Sequence, residues 1–317
     1  MKKTGKLVTA LCFATAATGA IHLINKTITL FAEKQKHLLT TNLKKYDWRF
    51  GNISYRVTGS GSPLLLIHSL NPLSSQEQWN KLISEYAKNH TVYTLDLLGC
   101  GQSDKPAITY TNYLFVQLIT DFMKDIIKDQ ASVIASDSSC PIVTMACAMN
   151  PDLFNKIIFV NPDSFSATSR IPDKNSRLAK FLFEIPIIGT LVYNMNFSRY
   201  KIQKTLQNKV FSDAHLLNQN TIDACYASSH LGGGNAKYLF ASLTGHYQTA
   251  NTYQAIRKID NSIYIVYGED TKNQKHITDE YVSANPSIEV ACIPHARQLP
   301  EVEQPKAFLD ITNIYLG

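Results

Sequence analysis

Short apolar runs alternate with amphipathic stretches along most of the chain. Residues 62–69, 131–135 and 155–162 are nearly continuous apolar runs bounded by small or polar residues. Runs of this length are typical of strands that are buried on both faces of a sheet. Between them, residues 111–129 carry apolar side chains at helical spacing. This alternation predicts an α/β fold with a doubly wound, mostly parallel sheet.

The ends of this region add further strands. Residues 47–59 alternate between apolar and polar positions, and Gly51-Asn52 falls near their middle, which predicts a hairpin with its turn there. Residues 261–270 and 287–294 are two later strand candidates, and 303–316 has the spacing of a final helix. The predicted globular domain therefore extends to the C-terminus.

A long interval interrupts the alternation. Between Pro162 and Ile256 the pattern contains helical segments and no apolar run of the strand type. We therefore expect a helical cap inserted at about residues 163–256. The predicted domain division is an N-terminal segment, 1–45, followed by one α/β domain, 46–317.

The N-terminal segment begins with lysines and continues into the uncharged stretch 7–24. As a helix it would be about 27 Å long, close to the thickness of a hydrocarbon core. We interpret it as a membrane anchor followed by a basic connector, 25–45, so the protein is expected at a membrane. A cleaved signal peptide and an ordinary surface helix are the alternatives. Lysines on both sides leave the orientation open.

Charge and cysteine content exclude several functions. Residues 1–45 contain eight lysines and one glutamate, so the net charge of +6 comes from the N-terminus rather than from a basic face on the globular domain. Nucleic acid is therefore not an expected partner. The six cysteines form neither a C-x-x-C pair nor a zinc-type pattern with histidine. We expect neither a metal nor a cofactor.

The sequence VIASDSSCPIV, residues 133–143, passes from a predicted strand into small residues and then a helix. This outline is typical of a nucleophile elbow, where a strained turn presents a reactive side chain and small neighbours prevent clashes. Both Asp137 and Ser138 fit the centre of the turn. The other candidate nucleophiles are Ser136, Ser139 and Cys140.

Four motifs carry a resemblance to a known superfamily. They are LLLIHSLNP (64–72), DLLGCGQSDKP (96–106), IASDSSCPIVTMACAMNP (134–151) and LPEVEQPKAF (299–308). In this order they resemble the oxyanion loop, the D-x-x-G-x-G-x-S-x-x-P segment, the elbow and the histidine-bearing segment of α/β-hydrolases. The branch that they resemble most is that of epoxide hydrolases and haloalkane dehalogenases, and the resemblance implies the α/β-hydrolase fold.

The resemblance also selects the elbow residue. In this superfamily the helix after the elbow usually ends at a proline about fourteen residues later, and Pro151 is fourteen residues after Asp137 but thirteen after Ser138. In addition, D-S-S-C-P-I is similar to the D-W-G-G-P-I of the same branch. The resemblance thus implies that Asp137 attacks carbon and that water hydrolyses the resulting ester.

The same comparison implies the neighbouring binding groups. Backbone amides of Leu70 and Ser138 would form the oxyanion hole, and Ser69 replaces the glycine of the usual H-G pair. Asn71 is near the position of a halide-binding asparagine. The second halide ligand, a tryptophan after the nucleophile, is Ser138 here, which disfavours a dehalogenase.

The two partners of the nucleophile have changed identity. The position of the superfamily histidine falls on Gln298, and the position of the acid falls on Thr271. Glutamine cannot act as the base that activates water. His295 is the nearest histidine, and Asp270 and Asp163 are the nearest acids, so these three are the displaced candidates.

Two classes of function follow. One is a hydrolase of epoxide, halide or ester bonds that uses Asp137 with displaced partners, and Tyr193 or Tyr238 of the cap as acids. The other is a catalytically inactive homologue that binds a small apolar ligand or a partner protein. A lyase is a further alternative. We expect His295 beside Asp137 in the first class, and Gln298 bonded into the elbow in the second.

Overall fold

The computed structural model of the protein describes residues 2–36 and 39–317. Residues 1, 37 and 38 lie outside the described part, as do the side chains of residues 2–11 and 14, which belong to the expected anchor. The chain forms one sheet with helices on both sides and a helical insertion.

Eight strands form a single sheet in the order β1-β2-β4-β3-β5-β6-β7-β8. The six strands from β3 onward run parallel, whereas β1 and β2 are antiparallel to their neighbours. The strands are β1 (Lys44–Trp48), β2 (Gly51–Thr58), β3 (Ser62–Ile67), β4 (His90–Leu95), β5 (Ala131–Ser136), β6 (Phe154–Val160), β7 (Ser262–Gly268) and β8 (Glu289–Ile293). The prediction of a mostly parallel α/β sheet is confirmed.

The helices lie before, between and after these strands. They are α1 (Lys2–Lys34), α2 (Asn80–Tyr86), α3 (Asn112–Phe122), α4 (Cys140–Met149), α5 (Phe165–Thr168), α6 (Lys174–Glu184), α7 (Ile188–Asn196), α8 (Arg199–Thr205), α9 (Gln219–His230), α10 (Lys237–Thr244), α11 (Tyr253–Ile256), α12 (Gln274–Ala284), α13 (Pro300–Glu303) and α14 (Pro305–Leu316). In the described part of the chain, the segment between β6 and β7 contains helices and turns but no strand.

The centre of the sheet positions the candidate site. Strand β3 is buried from Leu64 to Ile67 and pairs with β4 on one side and β5 on the other. The chain leaves β3 towards β4 and later returns to β5 on the opposite side. At such a switch point the loops after neighbouring strands diverge and open a crevice at the carboxyl ends of the strands. The loops after β3 and β5 border this crevice.

A buried histidine fixes the loop after β3. His68 Nε2 accepts from the backbone N–H of Leu97 at 3.0 Å, so Nδ1 carries the proton and donates to the carbonyl of Ser69 at 2.8 Å. Burial lowers the pKa of His68 to about 4, which keeps the ring neutral near pH 7. His68 is therefore a structural link between the loop after β3 and the end of β4.

The motif at residues 96–106 closes on one buried carboxylate. Asp96 accepts from the backbone N–H groups of Gln76 and Gln102, both at 2.8 Å. Gly101 has φ +46°, and a Cβ there would lie 2.3 Å from the Asp96 carboxyl carbon. The glycine is thus required by both the left-handed backbone and the close approach of the aspartate.

Two predicted elements differ in detail from the structure. The first hairpin turns at residues 49–50, because Gly51 already belongs to β2, where it packs against Asp104. The helical periodicity of residues 74–89, with a serine at their start, predicts a helix over this range. In the structure this region begins as a 3-10 turn, and α2 starts only at Asn80. The reason is local: Asp96 takes the N–H of Gln76, and the side chain of Ser75 makes no capping bond.

The second half of α1 packs against the cap. Asn25 donates from Nδ2 to the carbonyl of Ile187 at 3.0 Å and accepts from Asn194 Nδ2 at 2.9 Å. Ala32 is fully buried in a cluster with cap residues such as Ile202. Within the described residues, no single helix has both the length and the apolar composition to cross a membrane. The membrane anchor expected over residues 7–24 stays a prediction.

Candidate active site

The junction of β5 and α4 places Asp137 in a strained turn. Asp137 has φ +52°, a left-handed conformation that non-glycine residues adopt rarely and at an energetic cost. Helix α4 begins three residues later with Pro141 in its first turn. The aspartate, rather than Ser138, therefore has the backbone conformation of an elbow residue.

The other candidate nucleophiles at the elbow point elsewhere. Ser139 is fully buried and donates to the carbonyl of His68 at 2.6 Å. Cys140 is also buried, donates to the carbonyl of Ala135, and has a pKa raised well above its usual value by burial. Ser136 is buried and its hydroxyl has no hydrogen-bond partner. None of the three lines a cavity described next.

Asp137 lines a cavity of about 420 Å³ between the sheet domain and the cap. The sheet domain contributes polar groups from Ser69, Asn71 and Gln298, whereas the cap contributes mostly apolar groups such as Leu206. A cavity of this size, with few polar groups on mainly apolar walls, suits a small organic molecule. Tyr193 and Tyr238 do not line it, and the Tyr193 hydroxyl instead donates to the carbonyl of Ser229.

Three hydrogen bonds hold the Asp137 carboxylate. Ser69 Oγ donates to Oδ2 at 2.9 Å, and the Gln298 side chain and the backbone N–H of Ser138 also donate to the carboxylate. Burial raises the pKa of Asp137 above its ordinary value, and these donors offset part of the rise because they favour the charged form. The carboxylate is therefore oriented by three neighbouring groups, each of which favours its charged form.

A short relay fixes the Ser69 hydroxyl. Asn71 donates from Nδ2 to Ser69 Oγ at 3.1 Å and to Ser74 Oγ at 2.7 Å, while its Oδ1 accepts from the backbone N–H of Leu73 at 2.9 Å. Because Ser69 accepts from Asn71, its proton is directed to Asp137. In this structure Asn71 orients the elbow carboxylate through Ser69, although its amide also reaches the cavity wall.

The expected oxyanion donors are already engaged. The backbone N–H of Leu70 donates to Ser138 Oγ at 3.1 Å, and Ser138 Oγ also lies 3.2 Å from the Leu70 carbonyl. The backbone N–H of Ser138 donates to Asp137. A hydroxyl of the protein thus takes the place that a developing oxyanion would occupy at Leu70.

Gln298 is held at the elbow by contacts from distant parts of the chain. Its N–H donates to the carbonyl of Val210 in the cap at 3.0 Å, and its carbonyl accepts from Asn161 Nδ2 at 3.0 Å. Its side chain lines the cavity and donates to Asp137. An amide thus occupies the position at which the superfamily resemblance implies a histidine.

The structure does not bring His295 to the elbow. His295 is exposed in a turn with φ +55°, and it lines neither cavity beside Asp137 or Asp163. Its backbone carbonyl accepts from Gln304. The turn directs the side chain to solvent, so the displaced histidine expected as a base is not placed to act as one.

The two acid candidates after β7 also lie away from Asp137. Asp270 is exposed and accepts from the Ser212 hydroxyl, while its N–H donates to the carbonyl of Ala296. Thr271 is half-buried, and its hydroxyl has no hydrogen-bond partner. Neither residue lines the 420 Å³ cavity.

Asp163 is the displaced candidate that interacts with Asp137. It lines a second cavity of about 220 Å³, whose walls include Ser138, Arg170, His246 and Gln248. Burial, reinforced by the charge of Asp137, raises the pKa of Asp163 to about 7, while Arg170 opposes the rise. The elbow therefore separates two cavities, with Asp137 facing the larger and Asp163 facing the smaller.

Two further residues support the site and were not singled out from the sequence. Gln78 accepts from the N–H of Ser69 at 3.3 Å and donates to Glu301 Oε1 at 2.6 Å. Burial raises the pKa of Glu301 to about 8, and the other oxygen of its carboxyl has no partner. The sequence signal was present, because Glu301 belongs to the 299–308 motif, but that motif was interpreted only for its histidine position.

A metal-dependent reaction has no candidate site in the described part of the chain. Among the residues described, no three or more His, Cys, Asp and Glu side chains form a group that could hold a metal ion.

A strained residue at the carboxyl end of a central parallel strand, beside the loop of the preceding strand and beneath a helical insertion, defines the α/β-hydrolase class. The family model of the alpha/beta hydrolase fold matches residues 62–297. The chain belongs to this family.

Curated relatives match limited parts of the chain. An uncharacterized protein of Mycobacterium tuberculosis is 28% identical over 108 residues, which are 34% of this chain and 31% of that protein. A soluble epoxide hydrolase of a Corynebacterium species is 26% identical over 107 residues, or 34% of this chain and 37% of that enzyme. The matches thus span only about a third of the length of these relatives.

Solved structures match over a larger share. A serine hydrolase involved in carbazole degradation has a TM-score of 0.71 and 17% identity, and the match covers 87% of this chain and 98% of that one. At this identity the likeness establishes the fold alone. It confirms the α/β-hydrolase architecture inferred from the four sequence motifs.

Proposed function

We propose that the protein is a hydrolase of small epoxide-type substrates and that Asp137 is its nucleophile. One observation carries the proposal: a carboxylate occupies the elbow at φ +52° and faces a 420 Å³ cavity beneath the cap. The similarity of a third of the chain to a soluble epoxide hydrolase supports this choice of substrate class.

The first step forms an ester. An oxygen of the Asp137 carboxylate bonds to a ring carbon of the epoxide, and the bond between that carbon and the ring oxygen breaks. The released oxygen takes a proton from water, because neither Tyr193 nor Tyr238 lines the cavity. The product of this step is a hydroxyalkyl ester of Asp137.

The second step releases the product. Water adds to the carbonyl carbon of the ester while a base takes its proton. The acyl carbon–oxygen bond then breaks, the base returns the proton to the leaving alkoxide to give the diol, and the Asp137 carboxylic acid loses its proton to solvent. We propose Asp163 as the base, because its carboxyl lies close enough to Asp137 for the two charges to interact and its raised pKa lies near neutrality. This role replaces the one first expected of His295.

A second candidate function is binding without turnover. Two observations favour it. Gln298 donates to Asp137 from the position expected for a histidine, and the N–H of Leu70 already donates to Ser138 Oγ. In that case a small, partly apolar molecule with a hydrogen-bond donor would be held against Asp137. The two functions make opposite predictions for the fate of an epoxide.

One experiment separates them. The full chain is incubated with styrene oxide. Diol formation is followed by chromatography, and the mass of the intact protein is measured by mass spectrometry. A hydrolase gives diol, and rapid quenching gives an adduct on the peptide that contains Asp137. Asp137→Asn should abolish both signals, whereas Asp310→Asn, at an exposed position of α14, should change neither.

Other outcomes have definite meanings. An adduct on Asp137 without diol would retain the nucleophile and reject Asp163 as an effective base. Neither adduct nor diol, together with saturable binding of styrene oxide that Asp137→Asn weakens, would favour the binding function. Diol formation that is equal in wild type and Asp137→Asn would reject the proposed mechanism.

A further inference from the structure

The outer side of the cap carries large apolar residues at helical spacing. On α6, Leu178, Phe181 and Leu182 are between 52% and 60% exposed. They occur at positions i, i+3 and i+4, so they share one face of the helix. The opposite face of α6 packs on α7 and α10. The apolar face of α6 is therefore turned away from the core.

Helix α7 continues this apolar surface. Ile188, Val192 and Met195 are exposed at positions i, i+4 and i+7, whereas Tyr193 and Asn194 on the other side are buried. Helices α6 and α7 pack against each other. The exposed faces of the two helices contain six large apolar side chains within a segment of about twenty residues.

Helix α1, which contacts α7, carries further exposed apolar residues. Leu23, Ile24, Leu30 and Phe31 are each at least half exposed and are related by seven-residue spacing. Asn25 bonds to the Ile187 carbonyl and to Asn194, so α1 lies directly beside α7. We call these exposed apolar residues of α1, α6 and α7 the outer apolar face.

Basic residues accompany the outer apolar face. Between Lys174 and Lys204 the chain contains six basic residues and one acidic residue, Glu184, which pairs with Lys180. Lys174, Arg177, Lys201 and Lys204 are exposed at the ends of the apolar segment. Apolar residues bordered by positive charge match the chemistry of an anionic lipid surface, which offers phosphate groups above acyl chains.

The geometry of α6 and α7 favours a position on a bilayer rather than across it. Together the two helices are apolar enough for a membrane segment by composition, but they are bent by 102° at the break between them. The bend prevents a straight crossing. Soluble monomers seldom expose so many clustered large apolar side chains.

We propose that the outer apolar face docks the protein onto an anionic lipid bilayer, with the cap helices lying in the interface. The apolar side chains enter the boundary between headgroups and acyl chains, and the basic residues contact lipid phosphates. This proposal does not depend on catalysis by Asp137.

Vesicle sedimentation of the full chain tests the proposal. We expect at least tenfold stronger binding to vesicles of phosphatidylcholine with 30% phosphatidylglycerol than to phosphatidylcholine alone, and weaker binding at high salt. The triple variant Leu178→Glu, Phe181→Glu, Leu182→Glu should lose at least tenfold in affinity. Ile314→Glu, which changes an exposed apolar residue on α14, is the matched control and should bind as wild type.

A fluorescent variant gives a second measurement without adding charge. Trp48 and Trp79 are buried, so their emission should not respond to lipid. A change in emission therefore reports the surroundings of a tryptophan introduced on the outer apolar face. Phe181→Trp should shift its emission to shorter wavelength on addition of anionic vesicles, and brominated lipids should quench it. Ile314→Trp should show neither effect.

Three results would overturn the proposal. The first is a wild type that does not bind anionic vesicles. The second is a triple variant that binds as well as wild type, which would assign any binding to another part of the chain. The third is a wild-type dimer in light scattering that becomes monomeric in the triple variant without vesicle binding, because the face would then pair two copies of the chain.

Discussion

The hydroxyl of Ser138 accepts the backbone N–H of Leu70 at 3.1 Å, directly beside the carboxylate of Asp137. In an α/β-hydrolase this N–H is expected to stabilise the oxyanion that forms when water adds to the ester. Here the donor is satisfied by a side chain of the protein. Ser138, the residue after Asp137, should therefore affect the rate at which the Asp137 ester is hydrolysed.

Replacing Ser138 by alanine should therefore accelerate the hydrolysis of the Asp137 ester. The freed N–H of Leu70 becomes available to the oxyanion, and we expect a rate increase on the order of tenfold. The measurement is the decay of the styrene oxide adduct in a single turnover, followed by mass spectrometry. Thr221→Ala removes a hydroxyl from the cap side of the 420 Å³ cavity without touching Leu70 or the Asn71 relay, and should have little effect. An adduct that decays equally fast or more slowly in Ser138→Ala contradicts the prediction.

Gln298→His should supply an imidazole base at the elbow. We expect turnover of styrene oxide to rise at least tenfold, because general-base catalysis contributes roughly 10²–10⁴-fold when the base is well placed. The base acts in its neutral form, so the rate should increase as the pH rises through about 6.5. Steady-state diol formation between pH 5 and 8 checks this. Gln78→His places the same ring elsewhere on the cavity wall and should not raise turnover above that of wild type.

Asp163 should make stability depend on pH. Its pKa is raised from an ordinary value of 3.8 to about 7, so between these values the folded protein binds more protons than the unfolded chain. The contribution of Asp163 to stability therefore falls as the pH rises through this window. Asp163→Asn removes the charged form, and its free energy of unfolding should exceed that of wild type at pH 8 by on the order of 3 kcal/mol.

The comparison with wild type is made by urea denaturation at pH 4.5 and pH 8. The advantage of Asp163→Asn should be small at the lower pH and large at the higher one. Asp310→Asn, at an exposed position, should show the same difference from wild type at both values. An Asp163→Asn difference that does not grow with pH would contradict the raised pKa.

Gly101→Ala should destabilise the loop that Asp96 closes. The new Cβ would lie 2.3 Å from the Asp96 carboxyl carbon, and the backbone there has φ +46°. We expect a loss of about 2–4 kcal/mol in the free energy of unfolding. Gly234→Ala is the control, because its nearest neighbour, Thr190 Oγ1, would be 3.6 Å from the new Cβ and the glycine is not left-handed. Equal free energies of unfolding for Gly101→Ala and Gly234→Ala, measured in urea, would contradict this prediction.

The sheet could be predicted because its strands are short, apolar and buried on both faces. The run around Leu64–Ile67 needs no distant information to be recognised as a central strand, since almost every side chain in it is apolar. The position of Asp137 in the elbow turn followed from the length of the next helix, and the structure gives Asp137 the left-handed backbone expected at such a turn.

The surroundings of Asp137 could not be predicted in the same way. Gln298 is held in place by a hydrogen bond from its N–H to the carbonyl of Val210, which lies in the inserted cap far earlier in the chain. A count of positions within the 299–308 motif contains no information about that contact. The occupation of the Leu70 N–H by Ser138 is equally a property of two loops brought together by β3 and β5.

The packing of α1 on the cap has a mechanical consequence. Helix α9 contacts α1 and also contributes Ala224 and Cys225 to the wall of the cavity that contains Asp137. The N-terminal helix is therefore one helix–helix contact away from the cavity wall, so a shift of α1 would reach that wall through α9.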